Sequence, residues 1–391
     1  MRRLTTSLNP RELFGLRHLQ GGEFAWHVLL IALSLLAFGL IFVNAIAMAP
    51  ASRSTSPVDF DSHSQKVVLT FPLLLFGVAM RPKWLRRNAH WIYFGTVVLL
   101  ALVPFIGDER NNAKRWIQLP GFDLQPSELA KLGIILVLAQ VLQENRLRKI
   151  EDWVRPTACV VLPICLVVLQ PDLGTALTLV PVTLGMFYLA GARASAIIGL
   201  CLTGLLIATV AVKSELVRGY QLKRIDTWMS AYTPEGVIGE KNRAGFHVHL
   251  ARTSIGNGGM HGRGLGRGVA NDTGYLPERE SDSIFAVIAE ETGFVACSAL
   301  LLMYVLLVIL LMRTASALRD RFARLTVGGI ALYFAAHLFV NTSVNLGLLP
   351  MTGLPLPLFS TGGSSMLVTF AAIGIALGLS ARQETSFAGD E

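Results

Sequence analysis

Residues Leu276–Phe294 read LPERESDSIFAVIAEETGF, a segment in which a polar loop runs into an apolar helix. Asp282 stands where the loop becomes the helix, so a helix-capping role for it or for Ser281 is one interpretation. The interpretation that we favour is that Asp282 faces a water-filled cleft at the outer membrane surface and acts there as a base. Glu290 and Glu291 lie about two turns deeper, where unpaired charge is costly, so we expect them to line a polar interior or to meet basic partners.

The composition around this stretch indicates an integral membrane protein. The 391 residues are 52% hydrophobic and 15% charged, with a mean hydropathy of +0.53, whereas soluble domains have about 25% charged residues. Apolar runs of about 17 to 25 residues can cross a hydrocarbon core of roughly 30 Å. We therefore predict an all-α polytopic membrane protein with about ten transmembrane helices. The predicted spans are His27–Met48, Gln65–Met80, His90–Ile106, Glu128–Leu142, Pro156–Leu169, Thr175–Ala190, Ser195–Val212, Ser283–Met312, Leu325–Leu348 and Ser364–Leu379.

The distribution of lysine and arginine predicts the topology. Basic residues cluster before the first predicted span and after the second, fourth and eighth, which puts these short segments and both termini in the cytoplasm. We expect a cytoplasmic arm at 1–26, a membrane domain at 27–381 and a cytoplasmic tail at 382–391. The large loop 213–282, between the seventh and eighth spans, is extracytoplasmic, because loops beyond roughly 60 residues escape the charge rule. Topology and anionic lipid headgroups explain the net charge of +8, so no nucleic-acid partner is expected.

A second polar block lies at the start of the fourth predicted span. Glu128 falls in the first turn of the helix, and Lys131 follows on the same face. A lysine at this depth costs about 2.5 to 3.5 kcal/mol unless it is paired or faces water. Two roles that can coexist stay open, a structural Glu128–Lys131 ion pair and a contact with a substrate phosphate. Arg115 and Trp116, a cation and an interfacial aromatic residue, precede the block.

Three other outer segments have distinctive compositions. In QPDLGTAL, residues 170–177, proline and glycine break the helix, and Asp172 is expected to cap the next one. The segment 253–268 is rich in glycine, which lets backbone amides approach an anion, although a flexible loop is the better interpretation of it alone. The prolines and glycines of 345–365 forbid a continuous helix, and a broken backbone at membrane depth must be buried or line a cavity.

Five sequence blocks resemble the SEDS family, the RodA and FtsW proteins of bacterial cell-wall synthesis. In chain order they read AKRWIQLPGFDLQPSELAKL, QPDLGTAL, GNGGMHGRGLGRG, LPERESDSIFAVIAEETGF and NLGLLPMTGLPLPLFSTGGSS. The MTGLPLPLFS segment is more similar to RodA than to FtsW, so a RodA-like subgroup is favoured. The chain departs from the family at Ser283, where phenylalanine is usual, at Thr361, where tyrosine is usual, and at Leu250 and Ala251, often glutamine and serine.

The resemblance implies a peptidoglycan glycosyltransferase in the bacterial cytoplasmic membrane. Its substrate would be lipid II, a disaccharide-pentapeptide on undecaprenyl pyrophosphate, polymerised during cell elongation and shape maintenance. The essential loop aspartate of the family falls on Asp282, its glutamate and lysine on Glu128 and Lys131, and its Arg-Trp pair on Arg115 and Trp116. The implied partner is a class B penicillin-binding protein whose membrane helix docks near the eighth and ninth spans.

Asp282 is accordingly the expected catalytic residue, taking the proton from the attacking sugar hydroxyl. The pyrophosphate leaving group needs positive charge more than a strong acid. A divalent cation, Mg²⁺ or Mn²⁺, could assist, but the four cysteines lie in apolar spans and no metal-ligand motif is present. The expected substrate-binding residues are Arg115, Trp116, Glu128, Lys131, Arg224, Arg252, Arg263, Arg279, Ser364 and Ser365.

Two other functional classes stay open on the sequence alone. A lipid II flippase would also contain polar residues at membrane depth and broken helices, although charges clustered at one membrane face argue against it. A scaffold or an FtsW-type septal polymerase of cell division is the second alternative. In a scaffold the outer carboxylates would serve only as helix caps.

Overall fold

The computed structural model describes residues 25–49, 58–110, 113–119, 122–213, 228–229 and 243–382. Helices dominate this part of the chain, and one small sheet interrupts them. In chain order the elements are α1 (Trp26–Met48), α2 (Phe60–Thr70), α3 (Pro72–Ala79), α4 (Pro82–Ile106), β1 (Asp108–Arg110), β2 (Ala113–Leu119), β3 (Phe122–Leu124), α5 (Pro126–Leu142), α6 (Glu151–Leu169), α7 (Leu173–Ala190), α8 (Ala194–Lys213), α9 (Arg243–Gly258), α10 (Val269–Thr273), α11 (Ile284–Ala317), α12 (Arg321–Asn345) and α13 (Gly363–Ala381).

Seven of the described helices are long and apolar enough to cross a membrane: α1, α4, α6, α7, α11, α12 and α13. The other three predicted spans fall on helical segments outside this set of seven. The second is divided between α2 and α3, with Pro72 at the start of α3. The fourth is α5, which has 17 residues, and the seventh is α8. The structure therefore confirms a helical multi-pass membrane protein, and the count of ten spans stays a prediction.

Helix α12 occupies the centre of the bundle. It packs against α11 on one side and against α5 and α7 on the other, and its side chains are largely buried. Because α5 carries Glu128 and Lys131 and α11 follows Asp282, α12 lies between the two polar blocks that the sequence singles out.

The long helix α11 is broken near its start. Gly293 has φ 73° and ψ −178°, a backbone conformation that is essentially restricted to glycine. The residues from Ile284 to Glu291 are buried, whereas Phe294 and Val295 are exposed. The break thus separates a buried half-helix that follows Asp282 from a long apolar span with a lipid-facing side.

A three-stranded antiparallel sheet precedes α5 and was missing from the all-α prediction. Strand β2 pairs with β1, with Asp108 opposite Trp116, and with β3, with Ile117 opposite Leu124. The stretch AKRWIQL lacks the strict alternation of polar and apolar residues that indicates a strand, and it lies between two apolar spans. The sheet carries Arg115 and Trp116 on β2, which packs against α4 and α5.

The last loop, between α12 and α13, enters the protein without forming a helix. Leu354, Leu356 and Phe359 are buried along it. A Cβ atom built on Gly39, inside α1, would lie 2.4 Å from the carbonyl oxygen of Leu358, so the loop backbone rests directly on the middle of the first helix. The expectation that this segment is a broken, buried backbone is confirmed.

Candidate functional site

Asp282 lies in the turn that precedes α11. The N-cap residue of the helix is Ser283, whose side chain makes no capping hydrogen bond, so neither Asp282 nor Ser281 occupies the cap position. The Asp282 side chain is half-buried, and the hydroxyl of Ser281 donates to its Oδ1 atom at 3.1 Å. The carboxylate therefore accepts a hydrogen bond within the turn that carries it.

The last loop supports this turn from one side. The Ser360 hydroxyl donates to the carbonyl oxygen of Ser281 at 2.7 Å, and the Thr361 amide donates to the carbonyl oxygen of Glu280 at 3.1 Å. Gly353, at φ 72°, lies so close that a Cβ atom there would be 3.3 Å from Oδ2 of Asp282. The proline-rich loop and the aspartate thus form one local structure.

Glu128 and Lys131 form a buried ion pair. Their Oε1 and Nζ atoms are 2.6 Å apart, and the two side chains are 1% and 2% exposed. Lys131 Nζ also lies 2.9 Å from Nε2 of His337. Because an ammonium can only donate, that nitrogen accepts, so His337 carries its proton on Nδ1, which donates to the carbonyl oxygen of Pro355 at 3.2 Å. The structural ion-pair role is confirmed, and the phosphate role stays a prediction.

Helix α12 connects the ion pair to the catalytic candidate. Asn341 and Asn345 follow His337 at one-turn intervals, and both side-chain amides donate to the carbonyl oxygen of Asp282, each at 3.0 Å. Sequence reasoning missed all three of these α12 residues. The available signal was three polar side chains at i, i+4 and i+8 in an apolar span, which by default indicates a functional site.

Asp172 caps α7 as predicted and also holds two helices together. Its carboxylate accepts hydrogen bonds from the amide and hydroxyl of Thr175, at 3.2 and 2.8 Å. It also accepts from the Ser127 hydroxyl at 2.8 Å and from the Gln125 side-chain amide at 3.1 Å. The start of α7 is thereby tied to the start of α5, beside the buried ion pair.

Arg115 anchors the sheet to the neighbouring turn. Its Nε atom donates to the carbonyl oxygen of Gln170 at 3.1 Å, and its Nη2 atom donates to that of Pro171. Trp116, on the same strand, is half-buried. The guanidinium thus commits two donor nitrogens to protein acceptors.

The glycine-rich segment 253–268 folds onto the start of α11. Oε2 of Glu290 accepts from the amide of Ala270 at 3.1 Å, and Oε1 of Glu291 accepts from the side-chain amide of Asn271 at 2.5 Å. The two buried glutamates therefore do line a polar interior, where each accepts a hydrogen bond from an amide donor. The anions close to this segment are the protein's own carboxylates.

The remaining predicted cations differ in their exposure. Arg252 and Arg263 are exposed. Arg279 is 1% exposed, and its Nη1 atom donates to the carbonyl oxygen of Asn271 at 3.5 Å. Arg224 lies outside the described residues. Their roles toward a substrate stay predictions.

The two predicted serines lie in the first turn of α13. The Ser364 hydroxyl donates to the carbonyl oxygen of Asp123 and accepts from the amide of Gln125, at 2.7 and 2.8 Å, so it joins α13 to the sheet. Ser365 is buried. Among the residues that the structure describes, no group of three or more metal-ligating side chains is found, and a divalent cation stays a prediction.

His247, on α9, contacts the residue that follows Asp282. Its Nε2 atom lies 2.7 Å from the Ser283 hydroxyl, and burial lowers the pKa of His247 from 6.5 to about 4, although a hydrogen bond that the imidazole donates to the backbone carbonyl of Pro277 partly opposes the shift. The imidazole is therefore neutral at pH 7 and holds α9 against the Asp282 turn.

The lowered pKa of His247 predicts a pH dependence of stability. Above pH 6.5 the imidazole is neutral in both states, so it has no effect on the free energy of unfolding. Between pH 6.5 and about 4 only the unfolded chain binds the proton, and stability falls by about 1.4 kcal/mol per pH unit. In thermal unfolding in detergent, the slope for His247→Asn should be smaller than that of the wild type by this amount. The exposed His261→Asn is the control, and an unchanged slope in His247→Asn would contradict the assignment.

Comparison with known proteins agrees with the family resemblance of the five sequence blocks. The family model described as "Cell cycle protein", named for FtsW, RodA and SpoVE, matches residues 25–385. A relative from Trichlorobacter lovleyi, named probable peptidoglycan glycosyltransferase FtsW, is 35% identical over 368 residues, covering 92% of this chain and 93% of the relative. A relative of the same name from a Geobacter species is 32% identical and covers 91% and 96%.

Solved structures are similar over almost the whole chain. One is described as structural coordination of polymerization and crosslinking by a peptidoglycan synthase complex, with a TM-score of 0.77, 29% identity, and 92% and 98% of the two chains covered. Another is the rod shape determining protein RodA of Thermus thermophilus, with a TM-score of 0.68, 27% identity, and 93% and 99% covered. On the matched residues, the fold and the ordered sequence blocks, this chain belongs to the FtsW/RodA/SpoVE family of cell cycle proteins, the SEDS family.

Proposed function

We propose that this chain, a peptidoglycan glycosyltransferase, polymerises lipid II at the outer face of the bacterial cytoplasmic membrane, with Asp282 as the catalytic base. The observation that carries the proposal is the half-buried Asp282 carboxylate, on a turn held by the last loop and by α12. Holding a carboxylate in one place while leaving it partly accessible suits a group that must meet a substrate hydroxyl. The relatives named as peptidoglycan glycosyltransferases support the reaction class.

The reaction is an inverting transfer between two lipid-linked sugars. Asp282 takes the proton from the 4-hydroxyl of the acceptor sugar as that oxygen bonds to the anomeric carbon of the donor. The bond from that carbon to the pyrophosphate breaks, and the leaving group departs with its negative charge, which nearby cations stabilise. Arg252 and Arg263 are exposed, and we propose them as the cations that serve this role, which a divalent ion could assist.

The cellular role that we propose is septal synthesis during division. The relatives carry the name FtsW, which favours division over the elongation role that the RodA-like segment MTGLPLPLFS suggested. The fold does not separate the two roles, since RodA of Thermus thermophilus is also a structural neighbour. Both termini are cytoplasmic in this proposal.

The proposed partner is a class B penicillin-binding protein. The description of a similar structure as a peptidoglycan synthase complex that couples polymerization and crosslinking supports such a partner. Ala296 and Ala299 are exposed on the lipid-facing span of α11, and small side chains there would allow a partner helix to approach closely.

The test of the base role is Asp282→Asn in purified protein that is supplied with lipid II. We expect polymerisation to fall by about 100-fold or more, because general base catalysis contributes about 10²- to 10⁴-fold. Asp272→Asn, which removes an exposed carboxylate of the same outer segment, should polymerise at the wild-type rate. Unfolding temperatures show whether the variants are folded. A folded Asp282→Asn variant with the wild-type rate would remove Asp282 from the base role.

Assays in sealed vesicles distinguish a polymerase from a flippase. A flippase is the alternative because the broken loop against α1 would also suit translocation. A flippase moves labelled lipid II across the vesicle membrane without lengthening glycan. A polymerase makes glycan chains in detergent, where no compartments exist. Translocation in vesicles, with no polymer in either preparation, would overturn the proposal.

A further inference from the structure

Helix α12 presents a column of three buried polar side chains that the reaction described above does not use. His337, Asn341 and Asn345 lie at successive turns of one helix face and are 0 to 2% exposed. Buried amides cost free energy unless hydrogen bonds satisfy them. Their hydrogen-bond partners therefore indicate which parts of the structure the column holds in place.

The two asparagines converge on one backbone atom. Nδ2 of Asn341 donates to the carbonyl oxygen of Asp282 at 3.0 Å and to that of Leu354 at 2.8 Å. Nδ2 of Asn345 donates to the same Asp282 oxygen at 3.0 Å and to the carbonyl oxygen of Asn341 at 2.9 Å. A carbonyl oxygen has two lone pairs and each amide nitrogen has two hydrogens, so the donors and the shared acceptor are all used.

The other end of the column is equally constrained. His337 accepts from the ammonium of Lys131 at 2.9 Å and donates to the carbonyl oxygen of Pro355 at 3.2 Å. The buried Glu128–Lys131 pair thereby fixes the imidazole, which holds the last loop one residue beyond Leu354. One rigid helix face thus places both the turn that carries Asp282 and the loop that lies against it.

We infer that Asn341 and Asn345 are positioning residues that fix the Asp282 carboxylate by binding the backbone carbonyl of the same residue. The inference rests on the proposed role of Asp282 as the base. A displacement of about 1 Å can cost about 100-fold in rate. Because the asparagines act on the placement of the base, their loss should lower kcat and leave KM nearly unchanged.

Asn345→Ala tests this inference in the full-length protein with lipid II as substrate. We expect kcat to fall by about 10- to 100-fold, with KM changed by less than about threefold. The matched control is Thr342→Val on the same helix, which removes a hydroxyl that donates to Leu338 and Phe339, carbonyls of α12 itself. Thr342→Val should keep both constants, and unfolding temperatures identify any variant that has lost its fold.

The outcomes separate this inference from the proposed base role. If Asn345→Ala keeps kcat within about threefold of the wild type while Asp282→Asn is inactive, the positioning inference fails and the base role stands. A selective rise in KM also overturns the inference. If Asp282→Asn keeps the wild-type rate, the base role fails, and the positioning role fails with it. Should Asn345→Ala not fold, Asn345→Ser is measured against the same limits.

Discussion

Replacing Lys131 with methionine is expected to cost about 3 to 5 kcal/mol of folding free energy, the loss typical of breaking one partner out of a buried ion pair. Methionine fills nearly the same volume, so the loss comes from charge rather than from a cavity. The Glu128 carboxylate would lose the 2.6 Å contact at Oε1, and its Oε2 atom already has no hydrogen-bond partner in the described structure. His337 would lose the donor to its Nε2 atom. Unfolding of the purified variant in detergent measures the loss.

The paired variant Glu128→Gln with Lys131→Met distinguishes the two roles of the lysine. Removing both charges leaves no buried ion, so most of the stability should return. If Lys131 only pairs with Glu128, the double variant should also polymerise lipid II. If Lys131 contacts a substrate phosphate as well, the double variant folds but remains slow. A single Lys131→Met variant as stable as the wild type would contradict the ion-pair argument.

Replacing Gly293 with alanine is the second large expected loss, about 3 to 5 kcal/mol, from backbone strain and overpacking together. At φ 73° and ψ −178° an alanine is strained, and its Cβ atom would lie 2.2 Å from the backbone nitrogen of Gly262. A backbone atom cannot rotate away as a side chain can, so either the break in α11 or the glycine-rich segment must move. The yield of folded protein and its unfolding temperature measure the effect.

Gly256→Ala is the matched control for Gly293→Ala. Gly256 is a glycine of α9 where an added Cβ atom meets nothing within 4 Å. Alanine is the better helix former by about 1 kcal/mol, so this variant should be as stable as the wild type or more stable. If Gly293→Ala were as stable as the wild type, that result would contradict the close backbone contact between α11 and the glycine-rich segment.

The sequence predicted the helical frame well because long apolar runs are a strong signal. It missed the sheet around Arg115, because short strands between spans carry little periodicity. It also missed the division of the second span between α2 and α3, although Pro72 occupies the boundary. The break in α11 was not predicted, because a glycine that starts an apolar span looks the same whether its φ angle is positive or negative.

The candidate site was predicted in part. Charged residues in a membrane segment are conspicuous, so Asp282, Glu128 and Lys131 stood out from the sequence. Asparagine is less conspicuous, and the structural meaning of Asn341 and Asn345 depends on a partner that lies about 60 residues away in the chain. The sequence favoured a flexible loop for the glycine-rich segment, whereas the structure folds this segment against Glu290 and Glu291 of the protein itself.

The contact between the last loop and α1 sets the order in which this protein can be completed during synthesis. The backbone of Leu358 contacts Gly39, and Ser360 and Thr361 donate hydrogen bonds to the carbonyl oxygens of residues 281 and 280. A nascent chain that has inserted its first helix must wait for more than 300 further residues before that helix meets its partner. Synthesis of the last loop, rather than insertion of the early helices, therefore marks the moment at which the aspartate acquires its final surroundings.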